Sequence, residues 1–385
     1  MRPASDLERR RLNELFARLC AIPSPSRHER AIADAVAAEL RALNIEVTED
    51  AAAASTGGNA GNLIARIPGR SDSWLMLCAH LDTVPHGSVP IEPQLDDGQW
   101  VNANEAILGA DNKASIAVLL ALAHRVAIEG TPIGLELVFT VCEEDGLLGA
   151  RALDLASLQA RLGYVFDHAT PIGEIIVASP THYRIEASFR GAAAHAGIRP
   201  QDGRSAILAA AKAISTMRLG RIDDETTANI GVISGGTAIN VVPEHCRIGG
   251  EVRSLSSATA EQVVTELVDR CQDAANLPDC ECDVDVVVEQ MFEGYRHKGS
   301  AAGVVSAEDA LRSCGYEPRR IVTGGASDAN VFEARGLPCT NIANGTERNH
   351  EPGERVSVAA LEGMLDVAFA LVDSAARGAA QISVV

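Results

Sequence analysis

Large rings are scarce in this chain, with two Trp, four Tyr and seven Phe among 385 residues, so no core built mainly on aromatic packing is available. Apolar residues still reach 46%, and Ala, Val, Leu and Gly must carry an ordinary globular interior. Positive charge is also short: 33 Lys and Arg face 52 Asp and Glu, a net charge of −19. Such a surface repels phosphate backbones and anionic lipids, which argues against nucleic acid and membrane partners. No apolar run approaches the length of a bilayer span. The opening MRPASDLERRRLNELFARLCAIPS lacks the unbroken apolar core of a signal peptide. The nine cysteines are odd in number and scattered, and Cys280 and Cys282 match neither zinc-binding nor thioredoxin spacing. Reduced thiols in a cytoplasmic protein are the expectation, with Cys78 and Cys142 as small core residues inside apolar strand patterns. The glycine-rich TGGNAGN (56–62) has no strand–loop–helix context for cradling phosphate and reads as a hairpin turn.

A chain of this length exceeds the usual single domain, so two domains are expected. Helices are predicted over 6–21 and 27–43, and strands near 45–49 and 61–67. WLMLCAH (74–80), IGLELVFTV (133–141) and GYVF (163–166) are continuous apolar runs of the kind found in strands buried on both faces. NKASIAVLLALAHRVAIEG (112–130) is apolar nearly all round and reads as a buried helix. Strands alternating with helices predict an α/β fold, a mostly parallel sheet with helices on both faces. From 182 to 292 the rhythm changes. HYRIEASFRG alternates apolar and polar residues, and the order that follows, β-α-β-β-α-β, is that of a ferredoxin-like α+β unit. The expected organisation is one α/β domain, 1–181 and 293–385, interrupted by an inserted domain over 182–292.

Candidate chemistry gathers at strand ends. His80 and Asp82 follow one core strand, Glu143 and Glu144 a second, and Asp167 a third, while Asp111 opens the buried helix. The carboxyl ends of strands border the ligand crevice of open α/β sheets. Carboxylates converging there repel one another unless cations neutralise them. Carboxylate and imidazole suit zinc and its first-row neighbours, and a shared carboxylate would allow a two-ion site. A lone His-x-Asp is a weak signal, and an acidic pair is usually a solvated face. Glu143-Glu144 stands out because it follows VFTVC with no polar preamble. Spacing does not say which of the two is base and which is ligand. His28, His86, His124, His182, His245 and His297 have no partner that the sequence identifies. In the inserted domain, His195 lies among small residues in GAAAHAG. Asn240 and Arg253 stand in GGTAINVVPE and EVRSL, where an Arg fork suits a free carboxylate.

Taken together, LCAHLDTVP, LGADNKASIAVLLAL, FTVCEEDGLLGA, YVFDHATPIGE, GAAAHAG, GGTAINVVPE, EVRSL, TGGASDANVF and ERNHEPGERV resemble the M20 metallopeptidases, in the family's order and over nearly the whole chain. Asp167 followed by Pro171-Ile172-Gly173-Glu174 is similar to the peptidase T-like branch. The resemblance implies a zinc-exopeptidase-like catalytic domain with an inserted lid and dimerisation domain. It implies two divalent metals per chain, zinc first, with cobalt or manganese accepted by the same ligands. His80 and Asp167 would bind one metal, Glu144 and His350 the other, and Asp111 would bridge. Asp82 would orient His80, and Glu143 would be the base that activates a bridging water. His195 would stabilise the oxyanion, from the same subunit or across a homodimer formed through the lid. Asn240 and Arg253 would hold the substrate carboxylate, with the Gly324-Gly325 loop closing nearby. The implied activity is hydrolysis of an amide bond in short peptides by a di- or tripeptidase. The alternatives are an N-acyl amino acid deacylase or N-carbamoyl-type amidohydrolase on the same scaffold, and a metal-binding protein without catalysis.

Overall fold

Three of the apolar runs form the centre of a sheet in the structure, a computed structural model that describes residues 1–382. The chain divides into two compact units. The first comprises Met1–Val177, His297–Thr323 and the chain from Ser327 onward, and the second comprises Ala178–Arg296 with Gly324–Ala326.

In the first unit the strands Gly134–Thr140, Trp74–His80, Gly163–Phe166 and Cys339–Ile342 lie side by side in that order, all parallel. Their side chains are buried on both faces, which is why their sequences read as unbroken apolar runs. Antiparallel strands extend both edges: Leu63–Ile67 and Glu46–Glu49 on one side, Glu174–Ser179 on the other. The sheet is therefore mixed, with its parallel strands at the core. Starting from the 74–80 strand, the chain adds 134–140 on one side and 163–166 on the other. Strand order thus reverses at His80, and at such a switch point the flanking connections diverge and leave a crevice.

The Ala110–Glu129 helix is buried along almost its whole length, as its all-round apolar sequence requires. The Asp6–Cys20 helix starts at a capping box between Ser5 and Glu8 and buries Leu12, Leu15, Phe16 and Leu19. A second, smaller sheet pairs the hairpin Thr346–Glu347/Arg355–Ser357 with Gln99–Asn102 and Pro93–Asp96. Its hairpin loop carries His350.

The structure differs from the sequence expectation at several places. The Arg30–Ala42 helix begins three residues later than predicted, because residues 24–29 are held by other contacts and Arg27 is left-handed (φ 71°). Residues 52–56 form a helical turn, so TGGNAGN is the exit from that turn and not a tight hairpin, although the flanking strands do pair. Strand 174–179 and the short hairpin 93–102 were not anticipated. Cys142 is buried, but it lies beyond the end of its strand in a left-handed conformation (φ 52°) and is no part of a strand pattern. All nine cysteines are free, and eight of them are buried.

The second unit is a five-stranded antiparallel sheet in the order Gly220–Asp223, Thr226–Gly235, His245–Ser254, Thr181–Arg190, Asp283–Phe292. Without the short 220–223 strand this is the 4-1-3-2 order of a ferredoxin-like unit. The helices Ala206–Thr216 and Ser257–Ala275 cover one face. Their buried Ala206, Ala209, Ala210, Ala213 and Ala260 allow close approach to Ile185, Ala187, Phe189, Ile248 and Val252. That one-sided packing explains the apolar–polar alternation of 181–190. Among the described residues no helix is long and apolar enough to cross a membrane.

Candidate metal centre and active site

The carboxyl ends of the parallel strands deliver acidic and imidazole groups to one place. His80 ends its strand, buried, with Nε2 3.1 Å from Asp111 Oδ1 and 3.7 Å from Asp167 Oδ1. Asp111 sits where the backbone has not yet become helical (φ −81°, ψ 105°). Its second oxygen, Oδ2, lies 3.3 Å from His350 Nε2, and the same imidazole nitrogen is 2.9 Å from Glu144 Oε1. Asp111 thus presents one oxygen to each histidine. Two overlapping sets place ligand atoms within 4.8 Å of one another: His80 with Glu143 and Asp167, and His80 with Asp111 and Glu144. The His350 end is half-exposed and the His80 end is sealed, so the crevice opens toward solvent on the His350 side.

Electrostatics show why the cluster calls for cations. Burial and the neighbouring Asp167 push the Glu143 carboxyl well above the usual carboxylate range. Burial also lifts Glu144 to about 7, and burial with Asp111 raises Asp167. Burial opposes ionisation of Asp111 as well, yet His350 and His80 hold it low. Contact with Asp111 and Glu144 takes His350 up to about 10, and three surrounding aspartates raise His80 against the effect of its burial. Four carboxylates thus share two imidazoles in a poorly solvated crevice, an excess of negative charge that protons on the histidines only partly offset. The hard oxygen donors and imidazole nitrogens fit divalent first-row cations.

The surroundings hold these groups in place. Asp82 accepts from the backbone N–H of Glu143 through Oδ1 (2.9 Å) and of Glu144 through Oδ2 (3.1 Å), and Ser26 Oγ donates to Oδ2 at 2.7 Å. The nearest Asp82 atom to His80 Nδ1 is its main-chain oxygen, at 3.0 Å, with Oδ1 at 3.4 Å. The Asp82 main-chain oxygen and Oδ1 both face His80 Nδ1, but the carboxylate is chiefly spent on the Glu143-Glu144 turn. Four groups were missed by sequence reasoning. Asn349 Nδ2 donates to Asp111 Oδ2 (2.8 Å), and Glu354 accepts from the N–H groups of Gly109 and Asp111, both at 2.8 Å. Asn341 brackets the Asp167 main chain, taking its N–H and donating to its carbonyl. Buried Asp328 lies behind the cluster, 2.5 Å from Thr140 Oγ1. Asn349 and Glu354 flank His350 in the ERNHEPGERV segment, but nothing local to that segment names their partners.

In the second unit, His195 and Asn240 sit on paired loops. Val241 bridges His195, and the Ala196 N–H donates to the Asn240 carbonyl at 3.0 Å. Both residues are exposed. Arg253 is half-buried; its Nε and Nη2 engage Glu251 at 3.2 and 3.1 Å, and Nη1 donates to the Gly324 carbonyl at 3.0 Å. Gly325 accepts from Ser179 Oγ at 2.8 Å.

Known proteins share both the sequence and the fold. Residues 181–277 match the peptidase dimerisation domain, and residues 62–195 match peptidase family M28. The chain is 36% identical over 370 residues to the uncharacterised protein YqjE of Bacillus subtilis, covering 96% of this chain and 99% of that one. It is similar to the crystal structure of aminopeptidase PepT from Bacillus cereus, with TM-score 0.88, 37% identity, and 95% and 98% of the two chains covered. It is also similar to a tripeptidase structure from Staphylococcus aureus, with TM-score 0.91, 32% identity, and 96% and 99% covered.

Proposed function

The chain belongs to the M20 metallopeptidase family, in its peptidase T-like branch, and on that premise we propose that it is a dinuclear exopeptidase that cleaves di- or tripeptides bearing a free carboxylate. The observation that carries the reading is Asp111, with one oxygen 3.1 Å from His80 and the other 3.3 Å from His350. His80 and Asp167 would hold one cation, Glu144 and His350 the other, and Asp111 both. When bound, two divalent ions, zinc first and cobalt or manganese by the same ligands, would acidify a water and polarise the scissile carbonyl.

The chain's own groups do the rest. Glu144 is committed to His350, whereas the Glu143 carboxylate takes no hydrogen bond from the described residues. Glu143 is thus the one free to accept a proton from the attacking water and pass it to the leaving amine. Asp82 fixes the turn that aims it. His195 serves the developing oxyanion, and Arg253 with Asn240 binds the substrate carboxylate beside Gly324 and Gly325. The second unit serves as lid and as the surface of a homodimer. Nine unpaired thiols accord with a reducing, cytoplasmic setting.

Metal content and tripeptide hydrolysis, followed in one sample before and after chelation, test the reading. About two ions per chain are expected, with activity lost on chelation and restored by zinc, cobalt or manganese. A protein that binds no metal on reconstitution refutes it. Metal binding with hydrolysis of N-acyl amino acids but not peptides moves the assignment to the deacylase class.

A further inference from the structure

The turn that carries Glu143 is held in a conformation its own sequence disfavours. Cys142 adopts φ 52°, in the left-handed region where a Cβ crowds the following carbonyl. A glycine would sit there at no steric cost, and this position is cysteine. The compensation comes from Glu29, 113 residues earlier in the chain and fully buried. Glu29 Oε1 accepts the Cys142 N–H at 3.0 Å, the Cys142 S–H at 3.2 Å and the Arg27 N–H at 2.9 Å. The next two N–H groups, of Glu143 and Glu144, go to Asp82. Three consecutive amides are thus accepted by carboxylates in place of sheet partners, so two side chains dictate the course of this turn. The segment around Glu29 reinforces the hold, with the Arg27 guanidinium on Asp145 (2.6 Å) and Ser26 on Asp82. A carboxyl group buried this deeply is costly, and an apolar side chain would fill the space without that cost.

We propose that Glu29 is a positioning residue for proton transfer: by gripping both donors of Cys142 it holds the left-handed turn that aims the Glu143 carboxylate. The inference rests on the reading of Glu143 as the proton acceptor. Glu29 acts through Cys142, so its loss should displace Glu143 without stripping metal ligands. A displacement of about 1 Å at a reacting group costs roughly a hundredfold in rate.

The test uses the full chain with wild-type metal content, a tripeptide substrate, and metal analysis of every variant. Glu29→Ala is expected to lower kcat about a hundredfold, with KM within about threefold and the metal content of wild type. Glu29→Gln keeps a carbonyl oxygen for the Cys142 donors and should stay within about tenfold of wild type. The double variant Glu29→Ala/Cys142→Gly should recover about tenfold over Glu29→Ala, because glycine adopts the left-handed backbone unaided. Unchanged kcat in Glu29→Ala, a loss confined to KM or to bound metal, equal losses in Glu29→Ala and Glu29→Gln, or no recovery with glycine each overturns the proposal. If Glu29→Ala does not fold, Cys142→Val carries the test. It lacks the S–H donor and is β-branched at a positive φ, so wild-type kcat there also overturns it. Glu143→Ala, run in parallel, should abolish turnover; activity in that variant would refute the Glu143 reading itself, whatever Glu29 does.

Discussion

Glu354→Ala is the most incisive perturbation of the metal centre that leaves every candidate ligand in place. Glu354 lies four residues beyond His350, is 1% exposed, and accepts the N–H groups of Gly109 and Asp111 at 2.8 Å each. Removing it strands two buried backbone donors, each worth about 1–3 kcal/mol when left unsatisfied, so about 2–6 kcal/mol in all. Water entering the vacated space would bring the cost toward the lower end. The Asp111 main chain is also released, and loss of such supporting contacts typically costs about 10–100-fold in metal affinity or activity. Both tryptophans, Trp74 and Trp100, lie in the catalytic unit, so urea unfolding read by their fluorescence reports that unit alone. The metal-free variant should unfold at lower urea with an unchanged slope, and should bind zinc more weakly in a competition titration. A midpoint and a zinc affinity both equal to wild type would show that Glu354 supports neither the loop nor the site.

Two further outcomes follow from ion pairs elsewhere. Arg125 is almost fully buried and pairs with both oxygens of Glu8, at 2.7 and 2.8 Å, which with Ser5 holds the Glu8 carboxyl well below the usual carboxylate range. A depressed folded-state pKa adds stability that is present above the unfolded value of about 4.3 and lost as pH falls toward the folded one. Glu8→Gln should therefore cost about 1–3 kcal/mol at pH 7, with the gap to wild type narrowing below about pH 4; urea titrations at several pH values check this, and a pH-independent gap refutes it. Arg253→Lys removes the fork now shared between Glu251 and the Gly324 carbonyl. KM for free-carboxylate peptides should rise about tenfold while carboxyl-amidated peptides are unaffected, and equal effects on both would remove Arg253 from carboxylate recognition.

Residues at the ends of apolar runs were the most legible part of the site. His80 ends and Asp167 follows a strand whose unbroken hydrophobicity marks burial on both faces, and the sheet places both at its carboxyl edge. Ferredoxin-like order in the second unit was legible for a related reason, since one-sided packing prints an alternating pattern. The 93–102 hairpin and the 174–179 strand escaped notice. The hairpin's strands are short and partly exposed, and the 174–179 strand is only six residues long.

The sequence alone determined which residue types stand at strand ends and which segments alternate, because those are properties of single segments. Only the tertiary structure distinguishes the surroundings of Glu143 from those of Glu144. It set Glu144 against His350, 206 residues away, and Glu143 beside His80 and Asp167. It also set Glu354 on the Asp111 loop and Glu29 on Cys142, across 243 and 113 residues. These partnerships depend on strand order and on where each loop emerges from the sheet, and no local pattern carries that information. A buried carboxylate takes whatever donor the fold places within about 3 Å of it.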